Sequence, residues 1–115
     1  MSGFATFALA ALALAVLLLL MRNASRLFVV RVDRGRLVHL RGRAPKGLLR
    51  DIADVVRQRP IARASIDVRV HDGLAAVTVG GDVTEAEKQR LRNVVGTWPV
   101  QKIRSAPYRS GALSI

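Results

Sequence analysis

The chain of 115 residues has no cysteine, which removes disulfides, thiol nucleophiles and cysteine-built metal sites at a stroke. Histidine is limited to His39 and His71, and strand-like alternation places both on outward faces, where a solvated imidazole is a simpler reading than a base or ligand. Aromatic residues are scarce: one tryptophan, one tyrosine and three phenylalanines leave little with which to stack nucleic-acid bases. Gly80-Gly81 lacks a phosphate-loop context, and no nucleophile–base pairing or metal-ligand spacing occurs. The sequence therefore predicts a non-enzymatic protein without metal or cofactor. Acidic residues number 8 against 19 basic ones, for a net charge of +11, and no basic residue precedes Arg22.

What is present is sharply segregated. Phe4 to Met21 form eighteen uncharged positions with Thr6 as the single polar side chain, close to the ~20 residues that cross a hydrocarbon core. A secretory signal needs a basic start and small residues before a cleavage point, whereas this run starts without basic charge and ends in Leu17 to Met21. It reads as a retained anchor. Arg22, Arg26, Arg31, Arg34 and Arg36 all follow it, so the positive-inside rule predicts a single pass through the inner (cell) membrane, with the N-terminus outside and the domain cytoplasmic. The expected organisation is a short N-terminus at 1–3, the anchor at 4–21, a juxtamembrane linker at 22–26, a small domain at 27–105 and a flexible tail at 106–115. Asn23-Ala24-Ser25 matches a glycosylation sequon, which at this length carries no assignment.

Beyond the anchor, Leu27 to Val32 and Leu37 to Leu40 read as two strands of a hairpin around Asp33-Arg34-Gly35. A three-residue loop with a bulge at Gly35 puts Phe28, Val30 and Val32 on one face with Val38 and Leu40, and Leu37 on the other. Gly42 to Pro45 breaks the strand. Leu48, Leu49, Ile52, Val55 and Val56 then recur at helical spacing up to Pro60. In ASIDVRVHDGLAAVTVGG, an Asp72-Gly73 turn pairs Val70 with Ala75, Val68 with Val77 and Ile66 with Val79 on the core face. Thr84-Glu85-Ala86-Glu87 is a capping box opening a second helix, with Leu91, Val94, Val95 and Trp98 inward and Gly96 near its end. Val100 to Ile103 adds a last strand. The fold class is α+β: a transmembrane helix, then β-β-α-β-β-α(-β), an antiparallel sheet with helices on one face.

Residues 48–103, especially IDVRVHDGLAAVTVGGDVTEAEKQRL and VVGTWPVQKI, resemble a BON domain, a resemblance that implies binding to phospholipid or another envelope partner without catalysis. The longer stretch from the apolar start to QRLRNVVGTWPV is similar to a bacterial single-pass membrane family of unknown function. Gly42 and Pro45 at the entry to the first helix and the Q-R-x-R-N-V run of Gln89, Arg90, Arg92, Asn93 and Val94 carry that likeness.

Charge narrows the partner. Residues 22–59 carry 11 basic and 3 acidic groups, residues 60–115 carry 8 and 5, so the excess lies beside the anchor. A GC-rich genome would produce such arginine-rich composition too. As a functional feature, Arg22, Arg26, Arg31, Arg34 and Arg36 are the candidates for contact with anionic lipid headgroups. Gln89, Arg92 and Asn93 share a helix face that suits an anionic or amide-bearing partner as well as plain solvent. Nucleic acid is the lesser alternative.

Overall fold

With one glycine near its start and no proline, the apolar N-terminal run has nothing to interrupt a helix, and α1 spans Ser2–Ser25. The computed structural model describes residues 2–113 and Ile115, apart from the side chains of Ser2 and residues 22–24. Strand β1 (Arg26–Asp33) begins at the residue after α1. Positions 22–26, expected as a linker, are thus the last helical turn and the first strand residue.

β1 pairs with β2 (Arg36–Arg43) through a turn in which Arg34 and Gly35 both have positive φ, 53° and 74°. This two-residue turn sets Asp33 opposite Arg36 and Val32 opposite Leu37, and the irregularity expected at Gly35 falls at Val38. Leu37 is therefore fully buried beside Phe28, Val30, Val32 and Leu40, while Val38 is half-buried. The strand also continues through Gly42, which faces Phe28 at φ 122°.

Pro45, extended, precedes α2 (Lys46–Gln58), whose buried side chains Leu48, Leu49, Ile52, Ala53, Val55 and Val56 form one stripe. β3 (Arg63–His71) and β4 (Leu74–Gly81) pair in the expected register, Ile66 with Val79, Val68 with Val77 and Val70 with Ala75. After α3 (Glu85–Gly96), the indole of Trp98 is partly buried, close over Gly47, and donates from Nε1 to Asp51 at 3.2 Å. Val100–Arg104 is a helix, α4, where a strand was expected: Pro99 stands before its first turn and Ile103 plugs the core. The expected loose tail contains β5 (Tyr108–Ala112), paired with β2 from Arg43–Tyr108 to His39–Ala112. The Leu113 amide then donates to the Val38 carbonyl at 3.0 Å.

The sheet order is β4-β3-β1-β2-β5, antiparallel throughout. α2 and α3 cover one face and enclose a core from both layers. An α+β domain with an apolar N-terminal helix is thus the architecture, with α4 added before the last strand.

The end of α2 is tied to the start of α3 at Glu87, through Arg59 just past α2. Glu87 is 5% exposed; its Oε1 accepts from the Thr84 amide at 3.1 Å and hydroxyl at 2.8 Å, and from Arg59 Nη2 at 2.5 Å. The Glu87 amide in turn donates to the Thr84 hydroxyl, completing the capping box. The Arg59 hydrogen bond holds the Glu87 carboxyl below its ordinary value of 4.5, against the opposing pull of desolvation and with help from Thr84. A lowered folded-state value means that this stabilisation is full above 4.5 and disappears as pH falls through the folded value. Thr84→Ala should cost about 1 kcal/mol. In Glu87→Gln the part of the acid-induced loss of stability due to this carboxylate should vanish, measured as denaturation midpoints between neutral and acid pH.

Candidate functional site

Because β1 leaves α1 directly, its first residue marks the end of the sheet nearest the helix. Antiparallel pairing brings the C-terminal ends of β2 and β3 there and the start of β4 and β5. Overall extents of 62 × 29 × 26 Å fit a helix of about 36 Å projecting from one end of the domain. The basic residues following the apolar run are spread along this axis. Arg26 lies at the α1 end, and Arg31 stands mid-strand on the uncovered face. Arg34 and Arg36 sit at the opposite end, about 26 Å further along β1 at the rise of a strand. There the Arg34 amide is bonded to the Ala62 carbonyl of the α2–β3 loop. The side chain of Arg22, like Asn23 of the sequon, lies outside the described residues.

The uncovered face gathers Arg26 and Arg31 with residues that linear reading did not group. Arg41 and His39 come from β2, Ser65 and Asp67 from β3, and with Val29 they line a shallow cleft of about 340 Å³. Asp67 Oδ2 bridges Arg26 and Arg69 at 3.4 and 3.3 Å, while its Oδ1 is buried without a hydrogen-bond partner. Arg31 and Arg41 have no polar partner among the described residues. Cross-strand register is the signal that would have found this cluster: Val29 faces Arg41 and Asp67, and Arg31 faces His39 and Ser65.

The α1 end has a different character. β3 continues past Arg69, the partner of Arg26, to His71 and the turn at Asp72-Gly73, which carries the hairpin tip about 7–10 Å beside α1. The backbone of α1 comes close to both β1 and β3. Leu74 at that tip is 72% exposed. Between it and the α3–α4 junction runs a groove of about 570 Å³ lined by Val70, Leu74, Trp98, Pro99, Val100 and Arg104. Arg43, Lys46 and Lys102 belong to the same end by topology, and all three are exposed.

The helix-face trio Gln89, Arg92 and Asn93 is exposed, with Gln89 donating to Asn93 at 3.0 Å and so satisfying part of that face internally. Arg90 reaches across to Gln58 at 2.7 Å and ties α3 to the end of α2. His71 lies 3.5 Å from Asp72 at the exposed hairpin tip. Among the described residues no three His, Asp or Glu side chains converge as metal ligands.

A family described as "Protein of unknown function (DUF3634)" matches residues 5–110, from the first turns of α1 into β5. The chain belongs to this family. DUF3634 therefore joins the apolar helix and the α+β domain within one unit, and Gly42, Pro45 and the run Gln89 to Val94 all fall inside it. No curated protein and no solved structure is significantly similar to this DUF3634 chain. Gly3–Met21 is long and apolar enough to cross a membrane, a property shared by spans and signal sequences, and none of it is buried against the domain.

Proposed function

We propose that this protein is a single-pass membrane protein whose basic domain is a non-catalytic binding module held at the cytoplasmic leaflet, in contact with anionic lipid. The observation that carries this reading is the unbroken passage from an apolar stretch, Gly3–Met21, none of it buried against the domain, through the last helical turn into the first strand. No linker separates the two, so a spanning α1 keeps the α1 end of the sheet within a few residues of the headgroups. Exposed basic side chains at that end, Lys46, Lys102, Arg104 and Arg43, which also donates to the Ala106 carbonyl at 3.0 Å, would each contribute about 1 kcal/mol against an anionic surface, and Arg26, paired with Asp67, less. Arg34 and Arg36, at the other end, lie beyond a Debye length of about 8 Å and would contribute little.

Carbonate extraction of the full chain combined with protease accessibility of a C-terminal tag tests this. The expected result is a carbonate-resistant chain with its C-terminus protected in intact cells. Release of a chain shortened at its N-terminus would identify a cleaved signal and sink the anchor. A tag accessible from outside would favour an envelope module of the kind the BON resemblance implies.

A second reading draws on the unpaired Arg31 and Arg41 of the uncovered face, which suit the phosphates of a nucleic acid. Tyr108 at the edge strand is the nearest candidate for stacking, so such binding would rest on charge and fall steeply with salt. Absence of a gel shift at low salt would dispose of it.

A further inference from the structure

We infer that the β3–β4 hairpin tip and the α3–α4 junction form a second membrane contact, a foot that rests in the bilayer interface beside α1. This inference rests on α1 being a retained span. It differs from the headgroup contact by charge alone, because it places apolar side chains into the lipid.

Three observations meet at this place. First, the levels agree: residues 22–25 climb about 6 Å from Met21 to the start of β1, and the hairpin descends about 7–10 Å past that start. Leu74 is thereby brought to the depth where the apolar run of α1 ends, and the approach of α1 to β3 sets that strand beside it. Second, Leu74 is a large aliphatic side chain left 72% exposed although most other aliphatic side chains of the domain are sheltered. In water that exposure has no benefit; in the interface it is an anchor. Third, the groove next to it has the chemistry of an interfacial zone. Val70, Pro99 and Val100 are apolar, Trp98 presents an amphipathic ring of the type enriched at headgroup level, and Arg104 stands at the rim with Lys102 on the same short helix. The bilayer is the occupant because the tether already holds this end against it and because the rim charge is cationic. A second copy of a chain with charge +11 would meet like charge instead.

Since the protein has no cysteine, Leu74→Cys and, separately, Arg36→Cys each create one labelling position. Position 74 is too exposed to disturb the core, and Arg36 lies at the far end of the sheet. The full-length variants would carry an environment-sensitive dye in nanodiscs of phosphatidylcholine and phosphatidylglycerol doped with headgroup-spin-labelled phosphatidylcholine. The expected result is that the dye at 74 shifts to the blue, loses most of its emission to the labelled lipid and resists aqueous iodide. The dye at 36 should show the reverse. Trp98, the single tryptophan, provides an unlabelled check in the wild-type chain and should also be quenched by the labelled lipid. A dye at 74 open to iodide and untouched by lipid overturns the foot while leaving the span intact. Protection from both quenchers means that protein, such as a second copy, covers the groove, and overturns it too. A chain that fails to co-purify with the discs removes the span, and the foot with it.

Discussion

Leu12→Arg combined with Leu14→Arg is expected to move the protein out of the membrane fraction. The ten Leu, Phe and Val side chains between Gly3 and Met21 each favour insertion by about 0.3–0.6 kcal/mol, or about 3–6 kcal/mol together. Two arginines at the helix centre oppose it by about 5–7 kcal/mol, and two of the favourable side chains are lost as well. The balance changes sign. Flotation and carbonate extraction read the outcome, with Leu12→Val and Leu14→Ile as the control expected to stay inserted. A doubly charged helix that still resists carbonate would mean that something other than this span holds the chain.

The second large effect concerns one backbone position. Gly42→Ala should destabilise the domain by about 3 kcal/mol or more, since φ of 122° strains any residue with a side chain and the strand cannot move aside. A Cβ at 42 would stand 2.4 Å from the Leu27 carbonyl oxygen and 2.7 Å from Phe28 Cα, both on the central strand. For a domain of this size the total stability is about 5–10 kcal/mol, so much of the population should unfold under mild denaturant. Gly80→Ala is the matched control: nothing lies within 4 Å of its added methyl, and the change should stay within about 0.5 kcal/mol. Denaturant titration of the full chain in detergent, followed by Trp98 fluorescence, compares the two.

Local agreement between pattern and turn chemistry made some of this fold readable and its absence hid the rest. In the second hairpin, strict alternation from Ile66 to Val70 met an Asp-Gly turn, and every pair lies where that logic puts it. The first hairpin misled because Arg34 takes a left-handed conformation that arginine does not advertise. The loop was therefore one residue too long, which exchanged Leu37 and Val38 between faces. Val100 to Ile103 has strand-like residues, but Pro99 is extended and pre-set for a helical start, and one buried Ile103 suffices to dock the turn. β5 was invisible for the opposite reason. Pro107, Ser110 and Gly111 have low strand propensity, and the strand exists through its ladder with β2, some seventy residues away.

The site followed the same division. Arginines close to the apolar run in sequence read as one group, yet each strand residue adds about 3.3 Å. Arg36 is thus carried to the far end of the sheet, while Arg43, Lys46, Lys102 and Arg104 are returned to the near end by topology. Arg41 and Asp67 joined Arg26 and Arg31 only through cross-strand register.

For the proposed span, the missing linker between Ser25 and Arg26 has a mechanical consequence. A span of 19 residues is about 28 Å long, slightly short of an average hydrocarbon thickness of about 30 Å. A thinner bilayer is met by tilting such a helix, a thicker one by drawing the headgroups inward. With strand following helix at the next residue, a tilt of the proposed span would reach the sheet with no linker to take it up. In the proposed arrangement, the angle at which the arginine-lined face stands above the membrane would then follow the thickness of the bilayer beneath it.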